Sequence, residues 1–312
     1  MLQAASHAND ILSRTGFAVQ EVPNRQVRYT SGSTIYVESG DGERWLGCYW
    51  SADGRINIPH ELWADDAFRL EIDGHPLAHG WTWLAASETA SSRPQTREFM
   101  VSLYNAACPV EVKVHTQLDG SPVLTRWLEI TNKSARPLAL TGVAPWCGRL
   151  WLGWNFALGR FTRDIWAREG WFEWEQLPRG ATTLKCTKGQ SHDDPFFVLR
   201  NEVAGEYFIG QLAWSANWMM EFRRDDKGLL FAIGPEAVAA QRVIAPGETV
   251  VTPAVHLGHV SGDFDTAVQA MHEHLRHFVI PKPDPERFGL VQYLIPSDQG
   301  YHMPFDEASA LK

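Results

Sequence analysis

The sequence predicts an all-β protein: a large antiparallel β-supersandwich over residues 1–262, followed by a C-terminal helix at 263–280. Short apolar runs with a two-residue period recur from residue 15 to about residue 260. Turn-forming pairs separate them: Asp41-Gly42, Asp53-Gly54, Asp73-Gly74 and Asp119-Gly120, with "NKSARP" (132–137), "RDDKG" (224–228) and "APGE" (245–248) between others. No period of about 40 to 50 residues repeats, which speaks against a propeller.

Individual strands show which way they face. In "VEVKVHT" Val110, Val112 and Val114 share one face, with Glu111, Lys113 and His115 on the other. In "LTRWLEI" Leu124, Leu128 and Ile130 point one way and Trp127 and Glu129 the opposite way. "EYFIGQLAWS" (206–215) is apolar on both faces, as a central strand covered on both sides requires. "TVVTPAVHLGHV" (249–260) alternates again, and Pro253 within it predicts an edge or a bulge. Asp263 then supplies a helix N-cap, and Phe264, Ala267, Val268, Met271, Leu275 and Phe278 fall on one helical stripe. "PKPDPER" (281–287) ends the helix as a stiff linker. Residues 288–312 begin something new: an apolar run, Leu290 to Ile295, a polar loop, and a helix opening at Asp306-Glu307-Ala308.

Composition excludes several roles. Of 312 residues, 44% are apolar and 21% charged, the balance of a globular protein. Acidic residues outnumber basic ones, 37 to 28, so neither a nucleic acid nor an anionic membrane is the expected partner. No apolar run reaches the roughly 18 residues of a membrane span. The start, "MLQAASHANDILSRTG", lacks a charged leader before an apolar core, so a cytoplasmic protein without a signal peptide is expected. Cys48, Cys108, Cys147 and Cys186 are far apart, as buried free thiols are.

Catalytic and metal motifs fail one by one. "HEHLRH" (272–277) has Arg276 where a zinc-protease motif needs its second His, and it reads as a solvated helix face. Asp65-Asp66, Asp193-Asp194 and Asp225-Asp226 are neighbours in sequence, so on a strand each pair points to opposite faces and cannot flank one bond. No catalytic residue, metal ligand or cofactor is expected. Fourteen tryptophans are the strongest compositional signal. Indole rings build cores and interfaces, and they also stack on sugars. "WCGRLWLGWNF" and "DIWAREGWFEW" look hard to bury in one subunit, so Trp151, Trp154, Trp171 and Trp174 are interface candidates for a homo-oligomer.

Four stretches resemble the N-terminal domain of the alpha-galactosidases of glycoside hydrolase family 36. "LDGSPVLTRWLEITNKSARPLAL" (118–140) is similar to its "D-S-P-V-…-R-W-…-I-T-N" pattern. "GQSHDDPFFVLRNE" (189–202) is similar to "S-S-H-x-x-N-P-F", with Asp194 replacing Asn. "YFIGQLAWSANW" (207–218) resembles "Y-x-x-x-L-x-Y-S-G-N-F", departing at Trp214, Ala216 and Trp218. "IAPGETVVTPAVHL" (244–257) resembles "L-x-P-G-E-x-x-x-T-P-E", with Ala254 where an acid is common. The resemblance implies a β-sandwich that precedes a β/α barrel carrying both catalytic aspartates. Residues 288–312 then look like a truncated first β/α unit of that barrel, and no catalytic residue is carried over.

The resemblance also implies a loop that reaches a sugar pocket, with "YWSADGRINIPHELW" (49–63) as its loose counterpart. Trp50, Asp53 and Arg55 are the carbohydrate-binding candidates there, and His192 and Asp194 in the 189–202 stretch are two more. The expected function is a non-catalytic N-terminal domain of an alpha-galactosidase-like hydrolase, contacting a galactoside-type carbohydrate or assembling with itself. Two alternatives stand beside it: a stand-alone glycosidase using Asp193, Asp194 or Glu173, and a lectin-like module.

Overall fold

Alternating apolar positions give strands almost throughout. The computed structural model describes residues 13–20, 25–56, 64–91, 93–153, 155–162, 170–189 and 194–281. In chain order the strands are β1 (Thr15–Gln20), β2 (Gln26–Ser31), β3 (Thr34–Gly40), β4 (Trp45–Ser51), β5 (Asp65–Asp66), β6 (Arg69–Ile72), β7 (His75–Pro76) and β8 (Trp81–Thr89). Next come β9 (Arg97–Asn105), β10 (Val110–Leu118), β11 (Val123–Asn132), β12 (Leu138–Ala144), β13 (Trp146–Leu152), β14 (Phe156–Phe161), β15 (Phe172–Gln176) and β16 (Gly180–Cys186). The remainder are β17 (Phe196–Asn201), β18 (Glu206–Leu212), β19 (Trp218–Arg224), β20 (Gly228–Pro235), β21 (Arg242–Ile244), β22 (Thr249–Val251) and β23 (Val255–Ser261). Helix α1 (Phe264–His274) follows and continues as a π-helical turn, Leu275–Val279.

The strands pair antiparallel in four sheets. One has the order β1-β2-β3-β4-β5. A ten-stranded sheet runs β15-β14-β17-β18-β23-β11-β10-β9-β8, with β22 also pairing β11. Two four-stranded sheets run β21-β12-β6-β7 and β13-β20-β19-β16. The fold is thus an all-β sandwich with a short C-terminal helix. Contacts divide the chain into Met1–Val279 and Ile280–Lys312. The strand–loop–helix stretch expected at 288–312, and the linker after Pro281, lie outside the described residues.

Strand parity sets the core. Val110, Val112 and Val114 on β10, and Leu124, Leu128 and Ile130 on β11, are fully buried inside the sandwich. The opposite face of the same sheet is covered in part by α1: Ile209 of β18, Val198 of β17 and Val260 of β23 meet Ala267 and Met271 there. Strand β18 therefore has both faces covered, since Phe208 joins the main core while Ile209 packs under the helix. Asp263 caps α1 by accepting from Thr266 N at 2.8 Å.

Three local features shape the frame. Asp73 and Gly74 both have left-handed backbones (φ 52° and 78°), which lets two residues join β6 to β7. Pro253 breaks the 249–260 run into β22 and β23. Both pair with β11, and Thr252 bridges the gap by accepting from Leu128 N through its hydroxyl at 2.9 Å. At Gly234 in β20 a Cβ would sit 2.2 Å from Val143 O, so only glycine allows β12 to approach this closely.

Charge also enters the interior, which the apolar pattern does not announce. Arg126 shares the parity of Leu124 and Leu128 and is fully buried. It donates to Glu38 Oε1 and, at 3.1 Å, to Thr116 Oγ1, while its guanidinium lies 4.8 Å from the Trp146 ring and 5.3 Å from Tyr36. Tyr29 and Tyr36 donate to the same Glu38 carboxylate. His274, expected on a solvated helix face, is instead buried. It lies one turn beyond Met271 on the stripe that faces the sheet.

Candidate functional site

The best-formed polar site on the sandwich surface is built where β4 ends. Ser51 and Asp53 fold the chain over: the Asp53 carboxylate accepts from Ser51 Oγ at 2.9 Å and from Arg55 N at 3.0 Å. Arg55 Nε lies 3.5 Å from the other Asp53 oxygen. The backbone bond from Arg55 and the Ser51 hydroxyl hold Asp53 below the usual carboxylate range. This tip therefore presents an exposed carboxylate held by its own turn, with an exposed guanidinium beside it.

Beneath it lies a second polar layer. Glu206, at the start of β18, accepts from Trp151 Nε1 at 2.9 Å and meets His259 Nε2 at 3.1 Å. The His259 hydrogen bond holds Glu206 below the ordinary carboxylate range, against its partial burial. Burial pushes His259 below the ordinary imidazole range, against the pull of Glu206. Near pH 7 this makes an ionised Glu206 and a neutral His259. The His259 ring stacks on Phe208 at 4.0 Å. The Asp53 charge reaches both groups and opposes the ionisation of Glu206.

The sequence-predicted residues are scattered over the fold. Asp53 and Arg55 come together at the tip. Trp50 does not offer a stacking face. It is a core side chain whose ring packs on Tyr36 at 4.1 Å, Trp146 at 5.5 Å and Phe208 at 5.3 Å, neighbours supplied by three sheets. Trp151 is likewise buried, stacked on Phe156 and hydrogen-bonded to Glu206, so it is not an interface ring. Trp174 packs against Phe264 of α1 and lies under Arg200. Trp171 is 52% exposed and keeps the character expected of a surface ring. Asp194 lines a separate hollow between α1 and β17, away from Asp53. Glu173 is exposed on β15. Trp154, His192 and Asp193 lie outside the described residues.

A second polar cluster, missed in the sequence, is buried under α1. His274 Nδ1 is hydrogen-bonded to Asp119 Oδ2, and its Nε2 lies 2.8 Å from His256 Nδ1. Thr125 Oγ1 lies 3.0 Å from His256. Burial, then His274, then Arg93 push His256 well below the ordinary imidazole range. Among the described residues, no group of three or more His, Cys, Asp or Glu side chains is arranged to hold a metal ion. No described helix is long and apolar enough to cross a membrane.

Residues 64–242 match the glycosyl hydrolase family 36 N-terminal domain, more than half of the chain. The chain belongs to that family. The family 36 domain has solved structural neighbours, all at low identity. It is similar to the galactosidase domain of the alpha-galactosidase–sucrose kinase AgaSK, at 15% identity and a TM-score of 0.71, over 84% of this chain and 44% of that one. It is similar to the alpha-galactosidase from Lactobacillus brevis, at 15% identity and a TM-score of 0.70, over 82% and 42%. AgaB, an alpha-galactosidase from Geobacillus stearothermophilus, gives 15% identity and a TM-score of 0.71 over 85% and 43%. The chain thus spans less than half the length of each. At this identity the likeness fixes the fold alone. No curated protein matches the chain.

Proposed function

We propose that this family 36 domain is the non-catalytic sandwich part of an alpha-galactosidase-like glycoside hydrolase, and that its Asp53–Arg55 tip contacts a galactoside. The observation that supports this is the family match over residues 64–242, set beside solved structures named as alpha-galactosidases that share this fold over more than four-fifths of the chain. Physical chemistry points the same way. Cleaving a glycosidic bond takes two carboxyl groups about 5 to 9.5 Å apart across a bound sugar. The buried carboxylates among the described residues are engaged otherwise, Glu38 with Arg126, Glu98 with His115 and Asp119 with His274, and the partly buried Glu206 holds Trp151 and His259. The tip carries the groups that hydroxyls need, an acceptor held by its own turn and a donor beside it.

The test is the purified chain assayed with an aryl alpha-galactoside and titrated with melibiose in an NMR amide-shift experiment. No turnover is expected, with shifts at residues 51–55 that vanish in Asp53→Ala. Turnover lost in Glu206→Gln would overturn the non-catalytic reading, and an unmoved 51–55 tip would overturn the contact.

A further inference from the structure

A hollow of about 580 Å³ opens beside the β21-β12-β6-β7 sheet, and no residue of the 51–55 tip lines it. Its apolar floor is Leu140 and Val143, and its walls carry Trp214, Asn217, Glu236, Gln241 and Arg242. We propose that it binds a neutral pyranose sugar.

Trp214 is the first reason. Its ring is 43% exposed, and no other aromatic ring packs on it among the described residues. Its Nε1 donates to Asn217 O at 3.1 Å, which pins the indole and leaves a flat apolar face open. Asn217 is itself held: its side-chain oxygen accepts from Gly189 N at 2.6 Å, and its carbonyl also accepts from Glu236 N at 3.0 Å. The platform is therefore built before any ligand arrives, and binding loses little to ordering.

The polar rim is the second reason. Glu236 is half-buried, and its carboxylate has no hydrogen-bond or ion-pair partner among the described residues. Gln241 Nε2 donates to Pro235 O at 3.0 Å, which orients the amide and leaves Oε1 as an acceptor. Arg242 donates to Glu248 through one nitrogen and has further N–H groups to offer. Acceptors and a donor thus stand around an open indole face. A pyranose needs this combination, because its C–H face is apolar and its rim of hydroxyls both donates and accepts. The volume lies within the roughly 300–1,000 Å³ of small-molecule sites. One carboxylate and one guanidinium at the rim give no excess positive charge for a phosphate.

The test is calorimetric titration of the whole chain, in an Asp53→Ala background that removes the proposed tip contact, with methyl alpha-galactopyranoside and methyl alpha-glucopyranoside. Saturable binding is expected with Kd of about 1 to 10 mM. Trp214→Ala added to that background should weaken it at least about tenfold and Glu236→Gln about threefold. The heat then reports this site alone, and the proposed tip contact is judged separately by its own amide shifts. Trp214 is a surface side chain, and circular dichroism checks that its variant folds. No saturable heat with either glycoside would overturn the proposal, as would binding that survives both Trp214→Ala and Glu236→Gln. So would a change in sedimentation on Trp214→Ala without sugar binding, which would make this face, with its exposed Val243 and Val251, a contact between copies.

Discussion

Strand β11 separates two buried polar clusters that differ in kind, although adjacent residues of one strand lead into them. Arg126 points into the sandwich and meets Glu38. Thr125 points the other way, beneath α1, and meets His256 and His274. Inside, burial opposes the charge on Arg126, but Glu38 and the tyrosine oxygens outweigh it and raise its pKa. Burial, then Glu38, raise Tyr29 and Tyr36 as well, so both stay protonated to strongly alkaline pH. Under the helix, His256 is held neutral by burial and by His274. Arg126, Tyr29 and Tyr36 thus keep their protons across ordinary conditions, while His256 beneath α1 can gain one. A buried pair of the first kind ties β3 to β11. The second makes the anchoring of α1 conditional.

The inner cluster should be the costlier to break. Arg126→Met leaves Glu38 buried with no counter-charge, and a loss of about 3–5 kcal/mol in urea unfolding is expected. The double variant Glu38→Gln/Arg126→Met removes both charges and should recover most of that loss. A single variant losing less than about 1 kcal/mol would mean that the pair does not hold the two sheets together.

Both clusters also mark where sequence pattern reaches its limit. Parity correctly placed the valines of β10, the leucines of β11, both covered faces of β18 and the bulge at Pro253, because a two-residue period and a missing N–H are local facts. The same parity places Arg126 with Leu124 and Leu128, and helical spacing places His274 one turn after Met271. Reading these two residues by type rather than by position hid them. Their partners were beyond local reach: Glu38 is 88 residues from Arg126, and Asp119 is 155 from His274. The candidate site divides in the same way. The Asp53-Gly54 turn was legible. The burial of Trp50 was not, because its neighbours Tyr36, Trp146 and Phe208 arrive from three sheets. Nor was the layer of Glu206 and His259, which are 53 residues apart.

Breaking the outer cluster should cost less. His274→Leu keeps an apolar surface toward Met271 but leaves Asp119 Oδ2 without its partner and His256 Nδ1 with Thr125 alone. Losing a buried hydrogen-bond partner costs about 1–3 kcal/mol, more for a charged group, so about 2–3 kcal/mol is expected here. Amide exchange should quicken through 264–279 first and leave β10 and β11 protected. Uniform loss of protection would mean that the helix and the sheet open as one unit, and that the two clusters are not separable.

The smallest effect is the one that distinguishes the clusters by chemistry. The ordinary imidazole pKa is about 6.5, and in the folded protein His256 lies well below it. The unfolded chain therefore takes up the proton first as pH falls. The stability that His256 contributes is full above about pH 6.5 and is lost as pH falls from there toward its folded value. His259, lowered by burial, acts with the same sign. Each histidine adds a slope of at most about 1.4 kcal/mol per pH unit in that window. Unfolding free energy measured from pH 7.5 down to pH 5 should fall in wild type. The slope should be shallower in His256→Asn, where only His259 remains of the two. In the double variant Glu38→Gln/Arg126→Met it should run parallel to wild type, equal in slope, because that variant leaves no uncompensated titratable group inside the sandwich. Equal flattening in both variants would show that proton uptake beneath α1 is coupled to the ion pair across the strand.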